Sequence, residues 1–185
     1  VERHLTKENN VLPDPIHPAI VHLPVALAIL LPLMAAGAFL LARHGTPIRT
    51  LWTGVVAAAA LLAGSAWLAV ETGEGQEERV ESVVSEGALE THEERANLFL
   101  ALAAGTLILT LTGLAKDRVG RIGRMAATVA AVALLPAGYM VGHSGGQLVY
   151  RDGAAQAYTT AIGEGQTAKG APSQSREEDD DDDER

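Results

Sequence analysis

Four stretches of this chain contain no Asp, Glu, Lys or Arg: residues 15–42, 50–70, 96–115 and 125–150. A helix rises about 1.5 Å per residue and needs about 20 mainly apolar residues to cross the hydrocarbon core of a bilayer, so each stretch can span. Four spans in 185 residues leave little chain for a soluble domain. The expected fold is all-α, an integral membrane four-helix bundle with spans at about 18–42, 50–70, 92–115 and 123–143. Within a membrane domain of 15–153, these spans lie between an N-terminal tail of 1–14 and a flexible acidic tail of 154–185. The 48% hydrophobic content comes from Ala, Leu and Val, since aromatics make up only 4%. Small, aromatic-poor faces suit closely packed helices.

The net charge of -9 argues against a nucleic-acid binder, which needs clustered Lys and Arg to neutralise phosphates. Its arrangement says more. The connection carrying Arg43 and Arg49 is net +2, and the one carrying Lys116, Asp117, Arg118, Arg121 and Arg124 is net +3. Between them, residues 71–95 hold nine acids against Arg79 and Arg95. Short loops rich in Lys and Arg stay in the cytoplasm. The expected topology is therefore N-out and C-out, in the cytoplasmic membrane of a bacterium, with the acidic loop outside. The first apolar run starts too late and runs too long for a cleaved signal peptide, so the first span is expected to act as its own targeting signal. With no cysteine there is no disulfide, thiolate ligand or covalent haem attachment.

Local signals refine the spans. Pro18 suits a first helical position, and His17 before it is expected to be extended. Pro24 and Pro32 free the carbonyls of Ile20 and Ala28. Trp52 and Trp67, near opposite ends of the second span, fit an interfacial belt. Ala60 with Gly64, and Gly138 with Gly142, have the four-residue spacing that lets helices approach closely. Val80, Val83, Val84 and Ala88 recur at helical intervals, which predicts a short interfacial helix between spans two and three. Thr91 with Glu94 fits a capping box, placing the start of span three at His92.

Six histidines are present. His4 in the tail and His44 in a basic loop are read as surface residues. His17 and His22 at the start of span one, His92 at the start of span three and His143 at the end of span four all fall at the outer boundary. An ionisable group inside a span faces the bundle interior or a wet cavity and marks function by default. His22, about 7 Å past the helix start, is the deepest. His17 and His22 would stand about 140° apart on one helix, too far round to chelate as a pair. His143 lies in Gly142-His143-Ser144-Gly145-Gly146, where glycine permits a sharp helix exit. All four are expected to share one site, with His22 and His143 its firmest members.

His17-Pro18-Ala19-Ile20-Val21-His22-Leu23-Pro24, together with the run from Gly142 to Gly153, resembles the opening and closing signatures of a bacterial family of predicted membrane proteins, domain of unknown function 2231. The resemblance covers residues 17 to about 153, with four spans in the same order. His17, His22 and His143 fall on its signature histidines, and His92 on a position where a histidine is also expected. Members can be fused to Rieske or c-type cytochrome domains. The resemblance therefore implies a redox setting, with a separate protein as the electron partner of this chain.

Three functions are compatible with these residues. The first is electron transfer by a b-type haem held between two imidazoles, a design that helix bundles supply. Only Arg79, Arg95 and Arg151 stand near enough to pair its propionates. The second is a non-haem copper, zinc or iron site of three or four imidazoles with Glu71 or Glu93, serving metal handling or oxidase assembly. The third is a non-redox accessory subunit. A carrier is disfavoured because the spans lack acids and bases and show no inverted repeat. Ser144 beside His143 makes no nucleophile pair, since no G-x-S-x-G elbow surrounds it, so a hydrolytic enzyme is not expected. Expected partners are membrane lipids and a basic c-type cytochrome or Rieske-type protein drawn to the acidic face, whether the chain acts as a homo-oligomer or within a larger complex.

Overall fold

The computed structural model describes residues 16–157. The N-terminal tail with His4 and residues 158–185 lie outside them, while Ala154 and Ala157, placed by the sequence in the tail, are buried. All regular structure in the described residues is helical: α1 (His17–Ile20), α2 (His22–Arg43), α3 (Ile48–Glu74), α4 (Glu77–Glu81), α5 (Glu86–Thr112) and α6 (Asp117–Tyr150). Four of these units are long and apolar enough to cross a membrane, α1 and α2 together forming the first. The expected all-α, four-span fold is present.

The chain runs up and down through two hairpins, α2–α3 and α5–α6, whose tight turns, residues 44–47 and 113–116, sit at one end. α3 also packs on α5, and α2 on α6, so the bundle is a square with α2 opposite α5 and α3 opposite α6. Its core runs through Leu31, Trp52, Leu62, Ala103, Ala131 and Leu134, all at most 1% exposed. Leu33, Leu61, Ile108 and Val129 face outward at more than 60% exposure. That inverts a soluble bundle and suits lipid, which is as apolar as the side chains it meets.

Several local expectations are revised. His17 is not extended. It opens α1, because the amides of Ala19 and Ile20 donate to Ile16 O and so draw the chain into a turn ahead of Pro18. The break between α1 and α2 falls at Val21, where Pro24 has no N–H to offer the carbonyl of Ile20. α5 begins at Glu86, a turn and a half before the expected cap, and Thr91 Oγ1 donates back to Gly87 O at 2.8 Å inside the helix. This early polar turn is held by a small apolar cluster of Val84, Leu148 and Ala154, with Val80, Ala88 and Leu89 packed on it. The one short helix expected over Val80, Val83, Val84 and Ala88 is divided: Val80 lies in α4, Val83 and Val84 in the turn after it, and Ala88 in α5.

Trp52 is fully buried instead of lying in a belt, and its indole N–H donates to Thr110 O at 2.9 Å. A Cβ on Gly113 would collide with that indole, so the close approach depends on glycine there. Trp67 does face outward. The Ala60/Gly64 pair is also turned outward, and a Cβ on Gly64 would meet nothing. The glycines that permit close packing are Gly113, Gly120 and Gly123, around the turn between α5 and α6.

Candidate functional site

The four histidines divide into two kinds. His17 and His92 are half-buried and turned toward neighbouring helices; His22 and His143 are exposed on the outer faces of the bundle. His143 stacks on Tyr139, ring centroids 5.7 Å apart and planes 11° apart. Among the described residues no group of three or more His, Asp or Glu side chains is placed to hold a metal ion.

The inward pair shares one construction. His17 Nδ1 lies 3.3 Å from Thr72 Oγ1 in the last turns of α3, and His92 Nδ1 lies 2.9 Å from Ser144 Oγ in α6. Each hydroxyl already donates its single proton to a backbone carbonyl one turn back: Thr72 to Leu68 O or Ala69 O, Ser144 to Met140 O or Val141 O. Each ring also lies against the turn of backbone that carries its hydroxyl, at Ala69 for His17 and Val141 for His92. With the hydroxyl proton directed to its own helix, the hydroxyl oxygen can accept from an Nδ1–H, and a neutral ring protonated there carries its lone pair on Nε2. That is the arrangement in which a histidine is held ready to ligate through Nε2, with its other nitrogen tied by an outer partner.

Each ring lies on bare backbone. A Cβ on Gly73 would stand 3.2 Å from His17 Cε1, and one on Gly145 would stand 3.1 Å from His92 Cε1. Thr72-Gly73 and Ser144-Gly145 are thus matching hydroxyl–glycine seats. His17 is within electrostatic range of His92, as is Arg95.

The correspondence extends through the fold. A shift of 75 residues, the separation of His17 from His92, carries Pro24, Ala28, Leu31, Ala35 and Ala38 onto Phe99, Ala103, Thr106, Thr110 and Gly113, and all ten are buried. A shift of 72, the separation of Thr72 from Ser144, carries Trp52, Val55, Ala59, Leu62 and Ser65 onto Arg124, Ala127, Ala131, Leu134 and Ala137, again all buried. Both hairpins bury residues at the three- and four-residue intervals of bundle helices, and their inward histidines lie toward the same end of opposite helices, α1/α2 and α5. The same shifts take His22 to Asn97 and His143 to Glu71, all four exposed.

The surroundings are acidic. Glu74, Glu77, Glu81 and Glu90 all lie within electrostatic range of Glu93. A cleft of about 270 Å³ lined by Ala88, Thr91, Ser144, Gln147, Leu148, Arg151 and Asp152 opens onto the hydroxyl beneath His92. Ser144 partners His92 and not its sequence neighbour His143, because helical geometry turns the side chains of adjacent residues to different faces.

Among known families, the model described as "Predicted membrane protein (DUF2231)" matches residues 13–157. No curated protein and no solved structure matches the chain.

Proposed function

We propose, from the premise that this chain belongs to the predicted membrane protein family DUF2231, that it binds a b-type haem between His17 and His92 and passes electrons at its acidic end. The observation that supports this reading is the paired seat: two imidazoles from opposite helices, each with Nδ1 beside a hydroxyl whose oxygen can accept its proton, which leaves Nε2 to ligate. Coordination number favours haem over a bare ion. A protein-held zinc takes three or four protein ligands, while haem iron with two axial imidazoles takes two. When bound, the haem supplies a one-electron redox couple. The chain's part is to fix two neutral imidazoles by their outer hydrogen bonds and to offer Arg95 as a partner for a propionate.

The charge distribution supports the acidic end as the outer one, with residues 44–47 and 113–116 in the cytoplasm of a bacterial cell. The carboxylates around Glu93 then present a surface suited to a basic c-type cytochrome or a Rieske-type protein, with long-range attraction that weakens as salt rises. The same carboxylates concentrate cations and favour a second reading, a copper, zinc or iron ion on His17 and His92 completed by water.

The test is a reduced-minus-oxidised absorption spectrum of the full chain expressed with ample haem. A Soret band is expected in the wild type, lost in His17→Ala and His92→Ala and retained in His22→Ala and His143→Ala. No Soret band in the wild type would sink the haem reading. Metal content that depends on His17 and His92 would then select the ion, and its absence would leave a non-redox accessory subunit.

A further inference from the structure

The end of the bundle opposite the histidines gathers cations that the proposed electron-transfer site does not use. Arg49 lies in the first turn of α3, and Arg121 and Arg124 lie in the first two turns of α6, so both hairpins contribute. Arg49 Nε donates to Leu114 O at 2.9 Å, and Arg124 Nη1 donates to Gly113 O. Two guanidinium groups are thereby anchored on consecutive carbonyls at the C-terminal end of α5. Arg121 and Arg49 are both within electrostatic range of Arg124. Asp117 is the one acid in the two connections at this end, against Arg43, Arg49, Lys116, Arg118, Arg121 and Arg124.

Capping α5 accounts for only part of this arrangement. The C-terminus of a helix offers roughly half a negative charge, too little for three guanidiniums. Each anchoring bond uses one of five N–H donors. Arg124 is 9% exposed and spends Nη1 on Gly113 O, whereas Arg49 and Arg121 are exposed and keep donors for a ligand. The depth is that of the headgroups, because Arg49 immediately precedes the charge-free run 50–70 and Arg124 the run 125–150. Beside them on α6, Ile122, Met125 and Val129 are 55–71% exposed and form an apolar strip leading away from the cations.

We propose that Arg49, Arg121 and Arg124 form a binding site for the phosphodiester of an anionic phospholipid, whose acyl chains lie along the strip of Ile122, Met125 and Val129. The guanidinium fork matches phosphate oxygens in pairs, and basic recesses between membrane helices bind acidic headgroups in this way. Occupation would join the two hairpins at their turns, since the phosphate bridges a residue of α3 to residues of α6.

The test uses the full chain in a neutral detergent, delipidated and titrated with phosphatidylglycerol, phosphatidylcholine or inorganic phosphate. Bound lipid is followed by native mass spectrometry and thermal unfolding by circular dichroism. Phosphatidylglycerol is expected to bind and raise the unfolding midpoint, phosphatidylcholine to do neither, and Arg49→Gln or Arg121→Gln to weaken binding by roughly fivefold each. Arg49→Lys should lose less than Arg49→Gln. Both positions are exposed, so the test stands even if Arg124→Gln fails to fold. Equal binding of the two lipids, or wild-type affinity in both glutamine variants, would overturn the site. Protection by inorganic phosphate equal to that by phosphatidylglycerol would overturn its assignment to a lipid.

Discussion

His92 Nδ1 and Ser144 Oγ lie 2.9 Å apart, joining the start of α5 to the end of α6 across 52 residues of sequence. The equivalent pair in the other hairpin, His17 and Thr72, is looser at 3.3 Å. Each hydroxyl can donate to a carbonyl of its own helix, which leaves its oxygen to accept from Nδ1–H and favours that tautomer of the imidazole.

Removing that acceptor should loosen the ligand without unfolding the bundle. Loss of an outer hydrogen bond to a ligating histidine typically costs about 10–100-fold in affinity. Ser144→Ala and Thr72→Val are expected to weaken haem or metal retention by about that factor, while Ser144→Thr and Thr72→Ser retain it. Titration of the apo-protein measures the change, and unaltered affinity in both hydroxyl-free variants would remove these residues from the site.

The glycine seats can be tested separately. Gly73→Ala and Gly145→Ala place a methyl 3.2 and 3.1 Å from the ring carbons they face, so the imidazole must shift by a few tenths of an ångström. Each variant should lower ligand retention. Gly64→Ala and Gly142→Ala, whose added methyl meets nothing, should not. Equal retention across all four variants would show that ring placement does not matter.

Stability is concentrated around Gly113. Its added Cβ would collide with the Trp52 indole and approach Arg124 Cγ at 2.9 Å, and overpacking of this kind costs about 1–3 kcal/mol. Truncating Trp52 removes a fully buried ring and its bond to Thr110, for about 3–5 kcal/mol. Gly113→Ala and Trp52→Ala should lower the unfolding midpoint in detergent, whereas Gly37→Ala, in open space, should leave it unchanged.

Orientation is directly measurable because the chain has no cysteine to interfere. His44→Cys lies in a basic turn and Ser85→Cys in the acidic connection. In intact cells an impermeant maleimide is expected to label Ser85→Cys, and to reach His44→Cys only after permeabilisation. The reverse pattern would invert the proposed topology.

The spans were legible because the bilayer imposes a one-dimensional rule. A run such as 15–42 with no charge is readable without knowing its neighbours, and the apolar residues that face lipid need no partner to explain them. Helix ends were less legible. The polar turn before His92 is helical because Val84, Ala88, Leu89 and Leu148 meet in space, which no window around Thr91 contains. Trp52 suited a membrane interface by type and position, and only the bare backbone of Gly113, far along the chain, explains its burial.

The candidate site divides along the same line. Charge-free runs, segment charges and the placement of four histidines near one boundary followed from the order of residues alone, because hydration and insertion act on short segments. Which histidines turn inward did not. His22 is deeper than His17 along the chain, yet it is exposed. His17 instead meets Thr72 and Gly73, and His92 meets Ser144 and Gly145. Helix rotation about its own axis decides these pairings, and that rotation is set by how small and large side chains interlock across the two hairpins, so only the packed bundle could select them.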